Sequence, residues 1–144
     1  MKEYVGLWVD SSSAVLVFLR DGEYRVQRIE SGVEGHFRLS GGSRSKKTPY
    51  GPQDIVSDTR VEKRRKHQYQ RYFREVVRAL RGTHGILLLG PGETKVHLAN
   101  AIRRERELAA GLRDVAAADK MTERQLLARV KEFFHPAIRK RKTV

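Results

Sequence analysis

Apolar positions recur first at strand spacing and later at helix spacing. "YVGLWVD" (4–10) and "SAVLVFLR" (13–20) are short runs rich in β-branched and aromatic residues, bounded by polar ones. Asp10-Ser11-Ser12 between them has the chemistry of a hairpin turn, and Asp21-Gly22 marks a second turn. "EYRVQRIES" (23–31) then alternates, with Tyr24, Val26 and Ile29 apolar and one slip in phase. These segments predict three antiparallel strands in a meander.

Beyond Ser31 the pattern stops. From about Gly32 to Ser57 nothing is periodic, and a structureless stretch of that length in a small domain is functional or disordered as a rule. Helical spacing begins at residue 58. Ser57 or Asp58 is the predicted cap. Tyr69, Tyr72, Phe73, Val76, Val77 and Leu80 form the stripe expected to be buried, and Gly82 closes the helix. "GILLLG" (85–90) is continuously apolar, as a strand covered on both faces must be. A second helix is predicted within 90–111, a strand at 112–119, and a third helix at 122–136. Thr122 and Gln125 have capping-box spacing there. Leu126, Leu127, Val130, Phe133 and Phe134 make its apolar face, and His135-Pro136 is read as its end. The predicted fold class is therefore α/β: a mixed β-sheet, with a three-strand antiparallel meander followed by α-β-α-β-α and helices on its faces. Residues 1–136 read as a single domain with a long basic loop at about 32–57, and residues 137–144 as a basic C-terminal tail.

Charge changes this picture from a generic domain to one with a partner. The 144 residues carry 30 Lys and Arg against 17 Asp and Glu, a net +13. The excess is uneven. Residues 1–35 hold four cations and six anions, whereas 36–71 hold ten and three, and 129–144 hold six and one. Clustering of this kind is the electrostatic footprint of a polyanion-binding protein. Cysteine is absent, which excludes disulfides and thiolate metal sites. No apolar run approaches the length of a membrane span, and the first residues do not read as a signal peptide, so cytoplasmic residence is the default expectation.

Three groups of residues carry candidate chemistry. Arg60, Lys63, Arg64, Arg65, Lys66 and His67 crowd the first half of the first helix, where cations oppose the helix dipole unless an anion is bound. Together with Arg44, Lys46, Lys47 and Tyr50 in the loop, and Arg139, Lys140, Arg141 and Lys142 in the tail, they form the expected RNA-binding set. Tyr50 is an aromatic among cations and could stack on a base. "GPGETK" (90–95) joins a strand to a helix. Gly90, Gly92 and Lys95 fit either a phosphate-binding turn or a purely structural one, with Lys95 paired to Glu93 or Asp119. Asp10, Glu62, Glu93 and Asp119 would have to converge to form a two-metal nuclease site. The five histidines show no ligand spacing, so no metal or cofactor is expected. Trp8 on the first strand reads as core.

"VEKRRKHQYQRYF", "GILLLGPGETK" and "DKMTERQ" together resemble the middle domain of the eukaryotic and archaeal class-1 peptide-release factors and of their relative Pelota, above all the short bacterial relatives of that domain. The resemblance spans about residues 4–135. It implies an α/β fold of the translational-machinery-component and ribonuclease-H-like type. It also implies a ribosomal setting with rRNA or tRNA as partner. In release factors the loop bears a Gly-Gly-Gln motif that assists peptidyl-tRNA hydrolysis. Here the loop has Gly41-Gly42-Ser43 and Gly51-Pro52-Gln53, and neither is Gly-Gly-Gln. The primary expectation is thus a non-enzymatic, ribosome-associated RNA-binding protein. The alternatives are peptidyl-tRNA hydrolysis through Gln53, a metal-dependent nuclease, and a module that binds an acidic protein.

Overall fold

The computed structural model describes the backbone of residues 2–33 and 51–143, and the side chains of 2–33 and 59–135. Among the described residues, five strands and four helices follow in the order β1 (Tyr4–Val9), β2 (Ser13–Arg20), β3 (Glu23–Glu30), α1 (Gly51–Leu80), β4 (Gly85–Gly90), α2 (Thr94–Arg103), α3 (Arg106–Ala109), β5 (Leu112–Ala117) and α4 (Glu123–Thr143). The sheet order is β3-β2-β1-β4-β5. β1 pairs antiparallel with β2 and β2 with β3, while β1–β4 and β4–β5 are parallel.

Both turns of the meander form as their residues dictate. The Asp10 carboxylate accepts hydrogen bonds from the Ser12 and Ser13 amides at 2.8 and 2.9 Å. Asp21 and Gly22 both adopt positive φ, at 53° and 80°, the backbone that matches strand twist in a two-residue hairpin.

The sheet is covered on both sides, which is why β1 and β4 are fully buried. On one face, Val5, Leu7, Val9, Leu16, Phe18, Ile86 and Leu88 pack against Tyr72, Val76 and Leu80 of α1 and against Leu98 and Ile102 of α2. On the other, Tyr4, Trp8, Val17, Leu19, Leu87 and Leu89 pack against Leu126, Val130 and Phe134 of α4. The phase slip in β3 follows from this double cover: Val26 borders the α4 side and Ile29 the α1 side. Trp8 is core, as predicted, and its indole N–H donates to the carbonyls of Ala118 and Asp119 at 3.1 Å.

Three element boundaries differ from expectation. α1 begins at Gly51, not at Ser57 or Asp58, so the predicted loop is helical in its last part and Gln53 lies in the first turn. Proline suits that position, because its missing N–H is unpaired there anyway. The second helix breaks at Arg104 into α2 and the single turn α3. α4 runs through Pro136 to Thr143, so His135-Pro136 does not end it and the basic tail is helical backbone. Pro136 removes one backbone donor, and the Glu132 carbonyl it would have served belongs to an exposed residue that water can reach.

Candidate nucleic-acid interface

α1 is about 45 Å long, roughly twice the length of a six-residue strand. Its C-terminal half therefore covers the sheet and its N-terminal half extends past it. Arg60, Arg64, His67, Arg71, Arg74 and Arg78 recur at alternating spacings of four and three, and all six are exposed. They fall on one line along the helix face opposite Tyr72, Val76 and Leu80, spanning about 27 Å. Glu75 borders this line, and Glu62 lies on the other side of the helix.

The cationic cluster read from sequence is thereby divided. Arg60, Arg64 and His67 belong to the outer line, with Lys63 exposed at its margin. Arg65 and Lys66 turn to the opposite side and line a cleft. The cluster also lies in mid-helix, since the helix starts at Gly51. The expected opposition to the helix dipole is lost there, because that field is confined to the first turn.

The cleft has a volume of about 900 Å3 and opens above the carboxyl ends of β1 and β4. Asp10 and Ser11 from the β1–β2 turn and Pro91–Thr94 from the β4–α2 turn form its floor. Arg65, Lys66, Tyr69, Gln70 and Phe73 of α1 make one wall, and His97 and Asn100 of α2 make the other, with Arg104 at its end. The floor is fixed to the wall: the Tyr72 hydroxyl donates to the Asp10 carbonyl at 3.1 Å. Burial, then the nearby charges of Asp10, Tyr69 and Glu30, raises the Tyr72 pKa well above the ordinary phenol value. Tyr69 and Phe73, expected in the core, border it instead and stack 5.8 Å apart at the cleft wall.

The structure brings the "GPGETK" turn and two of the six residues of the α1 cluster, Arg65 and Lys66, to this one cleft, although they read as separate sites in sequence. The turn is fixed by its own backbone. Gly92 has φ +60°, which disfavours any side chain, and a Cβ at Gly90 would collide with the Val9 carbonyl. Lys95 donates to the Gly92 carbonyl at 2.5 Å, a contact with the turn's own backbone. Of the four carboxylates proposed for metal chemistry, Asp10, Glu62 and Glu93 line the cleft and Asp119 does not. Among the described residues no group of three or more metal-ligating side chains is placed to hold an ion. The Asp10 carboxylate is instead occupied by its own turn.

Arg44, Lys46, Lys47 and Tyr50 lie outside the described residues. For Arg139, Lys140, Arg141 and Lys142 the backbone is helical, and their side chains lie outside the description as well. Gln70, His97, Asn100 and Arg104 entered no predicted site set. A signal for them existed: Glu93, His97, Asn100 and Arg104 repeat at helical spacing opposite the buried Leu98, Ala99 and Ile102.

Neither a protein-family model nor a curated protein matches the sequence. Solved structures match its fold. The archaeal translation termination factor aRF1 aligns over 98% of this chain with a TM-score of 0.50 at 13% identity. Pelota from Archaeoglobus fulgidus aligns over 90% with a TM-score of 0.51 at 15% identity. In fold, the chain is a release-factor/Pelota-like domain. It spans 40% of the length of that termination factor and 31% of that Pelota. The release-factor-like fold places α1 and α2 side by side on one sheet face, so the cleft and the outer cationic line occupy opposite sides of the same helix. Among the described residues, no helix of this domain is long and apolar enough to cross a membrane.

Proposed function

We propose that this chain is a ribosome-associated RNA-binding domain that acts by binding, not by hydrolysis. The observation that carries the reading is the line of six exposed basic residues along α1. Residues three and four apart on a helix have Cβ atoms about 5–6 Å from one another, so their cations form a continuous row. A nucleic-acid backbone offers phosphates at comparable spacing, and neutralising them releases condensed counterions. The net charge of +13 supplies long-range attraction to the same partner. That one fold neighbour is a translation termination factor supports a translation-related role and rRNA or tRNA as the partner. With Gln53 in a helical turn and no Gly-Gly-Gln in the chain, the hydrolytic alternative draws no support.

The test is co-sedimentation with ribosomes and binding to purified rRNA across a salt series. The wild type should bind with a steep inverse dependence on salt. Arg60→Ala, Arg64→Ala and Arg71→Ala combined should flatten the log–log slope by about 2–3, since each phosphate contact contributes roughly 0.7–0.9. An unchanged slope in the triple variant removes α1 from the interface, and salt-insensitive or absent binding removes the RNA reading.

A further inference from the structure

We propose that the cleft between α1 and α2 is a nucleotide-binding site, distinct from the cationic line on the outer side of α1. Its residues are different ones: Arg65, Lys66, Tyr69, Gln70 and Phe73 face the cleft, whereas Arg60, Arg64, His67, Arg71, Arg74 and Arg78 do not line it. The two sites therefore stand or fall separately.

Four observations point to a nucleotide. The first is position. β1 leaves the sheet through a hairpin to β2, and β4 leaves it on the other side through α2 to β5. The crevice above two such strand ends is where open α/β sheets bind ligands. The second is size, because about 900 Å3 falls in the range of small-molecule sites and far exceeds a single anion. The third is the aromatic wall. Tyr69 and Phe73 are half-buried and both line the cleft; they stack on each other, and Phe73 stacks in turn on Tyr72, so the wall ends in Tyr69. A planar base is the natural occupant of such a wall.

The fourth is the balance of charge. Arg65, Lys66 and Arg104 meet Asp10, Glu62 and Glu93 around the same volume. A bare polyanion would be repelled by those carboxylates. A nucleotide carries both partners: its phosphate takes the cations, and its ribose hydroxyls and base edge donate to the Glu62 and Glu93 carboxylates, Asp10 being held by its own turn. Gln70 and Asn100 add amides that both donate and accept, as base recognition requires. The shared chemistry is a base with its ribose phosphate, supplied either by a free nucleotide or by an unstacked residue of single-stranded RNA.

The experiment is a titration of the full chain followed by amide NMR, with three probes: inorganic phosphate, adenosine 5′-monophosphate and a single-stranded RNA hexamer. The nucleotide or the hexamer should shift the side-chain amides of Gln70 and Asn100 and the backbone amide of Gly92, and phosphate alone should not reproduce those shifts. Saturation by the monophosphate assigns a free nucleotide as the source, and saturation by the hexamer alone assigns an RNA residue. Tyr69→Leu keeps an apolar side chain against the core but removes the ring. It should weaken that binding about 5- to 150-fold, the effect of losing one stacked base. The same variant should bind duplex RNA within twofold of wild type, because that contact uses the outer line. Equal shifts with phosphate, no shifts with any probe, or wild-type affinity in Tyr69→Leu would each overturn the proposal. All three outcomes leave the salt-dependent binding through Arg60, Arg64 and Arg71 to be judged on its own.

Discussion

Tyr72 joins the core to the floor of the cleft. Its ring is buried with Val76 and Leu80, and its hydroxyl reaches the Asp10 carbonyl. The neutral phenol is favoured there, first by burial and then by neighbouring negative charge, so its pKa in the folded chain stands above the ordinary 10.0. The sign of the pH effect follows. Below pH 10 the phenol is neutral in both states and its contribution is complete. Above it the unfolded chain ionises while the folded chain does not, and stability falls as pH rises. Tyr72→Phe should lose about 1 kcal/mol at neutral pH with the hydrogen bond. It should also show a shallower loss of stability between pH 9 and 11 than wild type. Urea midpoints measured across that range check both effects, and parallel alkaline curves would show that Tyr72 is not the titrating group.

α4 shows how far an element can be read from its own residues. Its capping box forms as the spacing predicts, with the Thr122 amide donating to the Gln125 side chain at 2.9 Å and the Gln125 amide to the Thr122 hydroxyl at 3.1 Å. Thr122→Ala should cost about 1 kcal/mol and Thr122→Ser much less, read as shifts in the denaturant midpoint. Equal losses in the two variants would mean that the hydroxyl is not the cap. The strands were equally legible, because alternation and unbroken apolar runs answer directly to one or two covered faces. What local pattern misjudged was the start of α1, the break between α2 and α3, and the C-terminal end of α4. Pro136 carries a stop signal that the following Ala, Ile, Arg and Lys residues override by their own helix preference. Phe133 was read as buried with Phe134, yet it is 36% exposed at the edge of the packed face. Tyr69 and Phe73 show the same limit at the site. Their spacing is that of a core stripe, and they pack against the core, yet both also line the cleft that α1 forms with the β1–β2 turn, the β4–α2 turn and α2. The cleft joins residues from a hairpin, a crossover turn and two helices. No single periodicity contains it.

At the scale of the whole molecule, charge should set stability and binding against each other. Exposed cations on α1 lie closer together than the Debye length of about 10 Å at 0.1 M salt, so they repel one another in the free chain. Screening relieves that repulsion, whereas the same screening weakens capture of a polyanion. The thermal midpoint of the free chain should therefore rise between about 50 and 300 mM NaCl as RNA affinity falls. The Arg60, Arg64 and Arg71 triple variant should be more stable than wild type at low salt and should converge with it at high salt. RNA added at low salt should raise the wild-type midpoint by mass action, and should raise that of the variant less. A wild-type midpoint that falls with salt would show that ion pairs such as Arg28–Glu123 and Arg81–Glu105 outweigh the repulsion. Exposed pairs of that kind contribute little, about 0–1 kcal/mol each, and like charges three and four residues apart on a helix cost a similar amount per pair, so the sign of the salt effect decides between them. The partner, on this view, is part of what makes the charge distribution of α1 tolerable to the fold.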